Sequence, residues 1–203
     1  MEFKEFKDQL DELKNIISNG IAYFSAWQGL MVEDEISAQA LNRYRGFFLT
    51  ARNALLWSAL MQFAKIFDHD SRTVSLRNLL TTAKNDQKNL TPYSTEKNLL
   101  DIERKIDASE SLLKRLKGFR DQRLAHHDAT VTYKVPILYG EVKKLVEEIK
   151  SLYNSLRLGH DRSTIAFDHL ALESGKHTSE VVRIIREEKD RALRSIKKSD
   201  MDK

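Results

Sequence analysis

A short stretch of the chain, GFRDQRLAHHD at residues 118–128, concentrates residue types that act on phosphates. It holds two adjacent histidines, His126 and His127, and two arginines, Arg120 and Arg123. Histidine has an unperturbed pKa close to neutrality, so it can both give and take a proton. Arginine keeps its charge at any ordinary pH and presents a planar fork that matches a phosphate. The stretch therefore indicates phosphate chemistry; the plain alternative is a polar helix end without chemistry.

The composition narrows the class of protein. The chain has 203 residues, with only 7 Gly and 2 Pro, which favours helices over turns. Its net charge of +4 tolerates an anionic partner without requiring one. It has no cysteine, which excludes disulfides, thiolate nucleophiles and cysteine-ligated zinc. The charged N-terminus and the lack of long apolar runs predict no membrane contact and a cytoplasmic location.

Apolar residues recurring at three- and four-residue steps predict a helical protein. The predicted helices cover residues 3–19, 37–67, 74–84 and 94–116, and a closing helix begins at residues 135–136. On this reading the stretch at 118–128 lies between two helices. Because most connections are short, the predicted fold class is all-α: an antiparallel helical bundle.

Two features of the predicted helices bear on function. The helix at 37–67 is so apolar that we expect it to be buried on most sides. Arg52 and Asn53 in its middle either point toward a cleft or a dimer mate, or lie at a partly exposed edge. The following helix is expected to start near Arg77, with Ser75 or Thr73 as its cap. Four aromatic residues offer surfaces for base stacking, but we expect them in the core and do not count them as RNA contacts: Trp27, Tyr44, Phe47 and Trp57.

The character of the chain changes beyond Gly159. We predict a helical bundle over residues 1–160 and a charged C-terminal helical extension over 161–203. Residues 176–203 hold nine Lys or Arg against six Asp or Glu. Val182, Ile185, Ala192 and Ile196 fall on a narrow apolar seam that Lys189 interrupts. This seam either packs on its own domain or docks on a second subunit or partner, and its mixed charge makes direct nucleic-acid contact the weaker choice.

The spacing of Arg120 and His126, with the polar Asp121 after the arginine, resembles the Arg-polar-x(3–5)-His signature of the HEPN superfamily. These are small all-helical domains that often act as metal-independent ribonucleases. The longer run FRDQRLAHHD is similar to the abortive-infection (AbiU-type) branch, as is KIFDHDSRTVSLRNLL at residues 65–80. The resemblance covers roughly residues 36–158.

The resemblance implies a homodimer in which both chains line one cleft. It also implies an RNA substrate, no cofactor and no metal. A 2′-hydroxyl of the RNA would attack its own phosphate, with His126 moving protons and Arg120 stabilising the developing charge. Arg123 would add a phosphate contact, and Asp121 or Asp128 would orient an imidazole or cap a helix. The implied setting is phage defence or a toxin–antitoxin pair, with an antitoxin or regulatory protein as partner.

Two questions stay open at this point. On an uninterrupted helix His127, and not His126, returns to the face of Arg120, whereas the family pattern favours His126. A metal-dependent phosphohydrolase of the HD type is an alternative function, because His-Asp doublets occur at His69-Asp70, His127-Asp128 and His160-Asp161. A non-catalytic helical binding module is the other alternative.

Overall fold

The computed structural model describes residues 1–125 and 137–201, and within them it contains nine helices and no strand. The helices are α1 (Phe3–Gly29), α2 (Glu35–Asn42), α3 (Arg45–Ile66), α4 (Leu76–Asn85), α5 (Gln87–Leu90), α6 (Glu96–Ala108), α7 (Glu110–Ala125), α8 (Tyr139–Asp161) and α9 (Asp168–Met201). The predicted all-α fold class is confirmed.

The chain forms two compact units. Unit 1 comprises Met1–Gly20 and Leu60–Phe167, and unit 2 comprises Ile21–Ala59 and the chain from Asp168 onward. The boundary that we predicted near residue 160 remains a prediction.

The core of unit 1 follows from the apolar spacing of its helices. In α1 the side chains of Phe6, Leu10, Leu13 and Ile17 are fully buried, because steps of three and four residues place them on one face. Buried residues of α4, α6 and α8 complete this core: Leu76, Leu79, Leu80, Leu99, Ile102, Ile106, Leu145, Ile149, Leu152 and Leu156.

The first helix does not end near Gly20 as predicted, but continues to Gly29. Gly20 is buried, and a Cβ atom placed there would lie 2.7 Å from Cε1 of Phe63. This glycine therefore allows a close approach of Phe63 and does not stop the helix.

Replacing Gly20 with alanine is expected to lower the free energy of unfolding by about 1–3 kcal/mol, because the added methyl group overfills the contact with Phe63. Gly118 is the matched control, since a Cβ there meets no described atom within 4 Å and the residue lies inside α7. Gly118→Ala should instead raise the free energy of unfolding by about 0.5–1 kcal/mol through helix propensity. Urea unfolding of both variants checks the opposite signs, and a stabilising Gly20→Ala would contradict the packing role.

The long helix predicted at 37–67 is in fact two helices, α2 and α3. Helical structure is interrupted at Arg43-Tyr44, where the N–H of Arg43 donates a hydrogen bond to the carbonyl of Leu41. Asp34 starts α2 by accepting a hydrogen bond of 2.8 Å from the N–H of Ser37.

Burial of α3 on most sides was a wrong prediction for its first half. Among residues 43–57 only Phe48 is buried, and Asn53 is exposed while Arg52 is partly exposed. Of the four aromatics expected in the core, Tyr44, Phe47 and Trp57 are exposed and Trp27 is half-buried. Apolar periodicity indicates which face of a helix can be buried, but it does not indicate whether another part of the chain packs against that face.

The helix predicted at 94–116 is also divided, into α6 and α7. Ser109 caps the end of α6, and its hydroxyl donates a hydrogen bond of 2.6 Å to Glu148 of α8. The helix then restarts and passes through Gly118 to Ala125. The prediction that the chain leaves helical structure at Gly118 was therefore wrong.

Unit 2 packs α9 on α2 and on its part of α1. Val182 of α9 is buried with Leu30, Leu41 and Phe48, and Ile185 packs against the same cluster. Two glycines allow close approach of α1 and α9: a Cβ at Gly29 would lie 2.8 Å from Cβ of Thr178, and one at Gly175 would lie 2.7 Å from Oγ of Ser25. Val182 and Ile185 of the predicted seam therefore pack within their own chain.

Candidate functional site

The structure places three of the six candidate site residues on one helix. Arg120, Asp121 and Arg123 belong to the last turns of α7. His126, His127 and Asp128 lie outside the described residues. The interpretation of the whole stretch as a segment between helices was thus wrong for residues 118–125, which are helical.

The helical register gives the two arginine positions a defined place. Leu113 and Leu116 are buried and form the core-facing stripe of α7. At about 100° per residue, position 120 lies within about 20° of Leu113 and about 40° of Leu116 in projection. Position 123 lies within about 20° of Leu116. The apolar stripe of α7 therefore ends in two positions occupied by arginine.

Polar contacts fix the N-terminal end of α7. Arg77 of α4 donates a hydrogen bond to Glu110, the first residue of α7, and forms an ion pair of 3.6 Å with Asp107. Together with the bond from Ser109 to Glu148, these contacts lock the junction of α6 and α7. Arg77, which sequence analysis treated as part of a helix start, thus also holds α7.

A second contact joins α7 to the beginning of α8. Arg115 donates two hydrogen bonds to the carboxylate of Glu141, at 3.0 Å from Nη1 and 2.5 Å from Nη2. Glu141 also accepts a 2.9 Å bond from the N–H of Leu138, next to the start of α8. The bond from Arg115 lowers the pKa of the Glu141 carboxyl. The Arg115–Glu141 pair therefore connects α7 and α8, the helices on either side of residues 126–136. The pair was not predicted, because no local pattern in the sequence links positions 115 and 141.

The sequence model of the AbiU2 family, a HEPN family, matches residues 3–181. The chain belongs to this family. The match is wider than the resemblance at 36–158, since it includes all of α1 and the first part of α9. No curated protein and no solved structure matches the chain.

None of the helices in residues 1–125 and 137–201 combines the length and apolarity that a membrane span requires.

Two of the three His-Asp doublets have structural roles in this AbiU2-family chain. Asp70 accepts hydrogen bonds from Arg72, and Asp161 accepts a 2.9 Å bond from the N–H of Ser163. His160 is fully buried, its Nδ1 lies 2.6 Å from the carbonyl oxygen of Leu90, and its ring stacks on Phe3 at 4.0 Å. Among the described residues no three His, Asp or Glu converge in a way that could hold a metal ion. The third doublet, His127-Asp128, lies outside the described residues.

The turn between α3 and α4, which carries the second family-like motif, is held by its own side chains. Ser75, one of the two predicted caps, is the N-cap of α4, and its hydroxyl also donates a 2.9 Å bond to the carbonyl of Asp68. Asn78 donates to the carbonyls of Asp70 and Thr73 at 2.7 and 2.8 Å. The acidic turn of this AbiU2-family chain thus stabilises the entry to α4.

A buried arginine in α8 is a feature that sequence analysis missed. Arg157 donates to Asp11 at 2.7 Å, to the hydroxyl of Tyr153 at 2.9 Å and to Ser163 at 2.8 Å. Tyr153 in turn donates a 3.1 Å bond to the carbonyl of Leu10. Burial disfavours the charge on Arg157, but the bonds with Asp11 and Tyr153 outweigh it and raise its pKa. The available signal was an arginine directly after Leu156 in the apolar stripe of α8.

Proposed function

We propose that this AbiU2-family protein is a metal-independent endoribonuclease. The observation that carries the proposal is the placement of Arg120 and Arg123 at the end of the core-facing register of α7, immediately before His126 and His127. Membership of a HEPN family supports it.

The proposed reaction is an internal transesterification of RNA. A histidine takes the proton of the 2′-hydroxyl, the 2′-oxygen forms a bond to phosphorus, and the bond to the 5′-oxygen breaks. The leaving oxygen receives a proton, so the products are a 2′,3′-cyclic phosphate and a 5′-hydroxyl. The nucleophile belongs to the substrate, so the reaction needs no metal-activated water. DNA lacks the 2′-hydroxyl and should not react.

Each candidate residue has a role in this proposal. Arg120 stabilises the extra negative charge on the phosphate oxygens, because a fixed cation in a desolvated site favours the transition state. His126 or His127 moves the protons. Arg123 binds a neighbouring phosphate, and Asp121 or Asp128 orients an imidazole or caps the helix.

The proposal includes assembly and control. We propose a homodimer in which both chains contribute to one cleft, in a phage-defence or toxin–antitoxin setting with an antitoxin or regulatory protein as partner. The family pattern favours His126 for the proton transfer, whereas the spacing on an uninterrupted helix favours His127.

Cleavage of single-stranded RNA in the presence of EDTA tests the chemistry. We expect EDTA to leave the rate unchanged and the products to carry 2′,3′-cyclic phosphate ends, which phosphatase cannot remove until acid opens the ring. An RNA whose 2′-hydroxyls are methylated is the matched control and should stay intact. Loss of activity in EDTA that returns with a divalent metal would overturn the proposal and favour a metal-dependent phosphohydrolase. Complete absence of cleavage would favour a binding module.

A further inference from the structure

The first half of α3 and the two residues before it expose aromatic side chains and arginines. We call the side chains of Arg43, Tyr44, Arg45, Phe47 and Arg52 the α3 face. Phe47 is 68% exposed and Tyr44 is 50% exposed, although both were expected in the core. Aromatic rings left this open to water indicate a surface that contacts another molecule.

Two grooves run along this part of unit 2, and Phe48 lines both of them. One groove, of about 420 Å³, is mainly apolar and is lined by Tyr44, Phe47 and residues of α9 that include Val181 and Ile184. The other groove, also of about 420 Å³, is more polar and includes Arg45 and Arg52 in its lining. The apolar rings and the two arginines therefore line two grooves that meet at Phe48.

The arginines of the α3 face form no ion pair with a carboxylate in the described residues. Residues 36–67 contain four cations and no Asp or Glu. In the described part of the chain no carboxylate lies within 4.0 Å of Arg43, Arg45 or Arg52. Arg52 donates a hydrogen bond to a neutral atom, Sδ of Met31, at 2.8 Å. The apolar groove is also lined by Glu188 and Lys189, whose side chains carry opposite charges.

We propose that the α3 face binds single-stranded RNA. Phosphates would lie along Arg45 and Arg52, and bases would stack on Tyr44 and Phe47. A single strand carries flat apolar bases on one side and a regular row of negative charges on the other, which matches the two adjacent grooves. The site rests on the proposed function and deepens it, because it assigns the substrate a binding surface in unit 2 in addition to the candidate catalytic residues on α7 of unit 1.

Fluorescence anisotropy with a labelled 2′-O-methyl oligouridine tests the site on the full chain. This probe cannot be cleaved by the proposed reaction, so binding is measured whether or not the protein is a ribonuclease. We expect Tyr44→Ala with Phe47→Ala to weaken binding by at least about tenfold through lost stacking. Arg45→Gln with Arg52→Gln should reduce the slope of log Kd against log salt by about 1.4, which corresponds to two lost phosphate contacts.

Matched controls come from exposed residues of unit 1. Tyr93→Ala and Arg104→Gln remove an exposed aromatic ring and an exposed guanidinium, and both should bind the probe as wild type does. Circular dichroism should show an unchanged helical signal for the α3 variants, since the replaced side chains are mainly exposed.

Three outcomes separate this inference from others. Unchanged affinity and salt slope in both double variants would overturn it. A dimer that becomes a monomer on Phe47→Ala, with no change in RNA affinity, would overturn it as well and assign the α3 face to a contact between copies. If binding depends on the α3 face but the wild type cleaves no RNA, the binding site stands and the catalytic proposal fails.

Discussion

Replacing Arg120 with alanine is expected to reduce the rate of RNA cleavage by about 10²- to 10³-fold, with little change in the affinity for uncleaved RNA. In the proposed reaction the guanidinium acts mainly on charge that develops in the transition state, so its loss should lower kcat more than it raises KM. Single-turnover cleavage of a labelled RNA measures the effect.

Two comparisons make this prediction specific. Arg104→Ala removes an exposed arginine from α6 and should leave the rate unchanged. Arg120→Lys keeps the charge but loses the fork, so it should restore only part of the rate. A variant Arg120→Ala that cleaves as fast as wild type would contradict the role of Arg120.

The same assay distinguishes the two histidines. Replacing the catalytic histidine with alanine should reduce the rate of RNA cleavage by about 10²- to 10⁴-fold, because general acid–base catalysis contributes that much. Replacing the other histidine should reduce the rate far less. A large loss of rate in His127→Ala would identify His127 as the catalytic histidine, as helix spacing predicts. A large loss in His126→Ala would identify His126, as the family pattern predicts.

Replacing Arg157 with alanine is expected to lower the free energy of unfolding by about 3 kcal/mol, without a direct effect on the candidate site. This value is the lower end of the range for breaking a buried ion pair, because the Asp11 side chain is 37% exposed and water can reach it. The variant also removes donors to the hydroxyls of Tyr153 and Ser163. Urea unfolding at neutral pH measures the loss, with Arg104→Ala as the control for removal of an exposed arginine.

The destabilisation should depend on pH in a defined direction. The hydrogen bond from Arg157 lowers the pKa of Asp11 below its ordinary value of 3.8. The ionised carboxylate therefore contributes stability above pH 3.8, and this contribution is lost as the pH falls through the lowered pKa. The difference between wild type and Arg157→Ala should accordingly shrink in acid. A difference that stays constant down to the acid transition would show that Asp11 is not the partner that matters.

Local patterns in the sequence were sufficient to predict the helical class, the buried face of one helix and two candidate caps for another. Apolar residues at steps of three and four predicted the buried face of α1. Ser75 was one of two candidate caps predicted for α4, and it is the N-cap in the structure. Both depend on residues within one or two turns, where spacing alone decides which side chains meet. The motif around Arg120 likewise led to the HEPN superfamily, and the family match confirmed that assignment.

Contacts between distant residues decided the rest. Gly20 and Gly118 were both predicted to lie at helix ends, yet α1 and α7 continue through them, and Gly20 lies against Phe63. The partner of Arg157 is 146 residues away in the sequence, at Asp11. The apolar first half of α3 predicted a buried helix, but only the tertiary structure shows that its aromatic rings remain exposed. A periodic pattern specifies which face of a helix is apolar, whereas the packing of the whole chain determines whether anything covers that face.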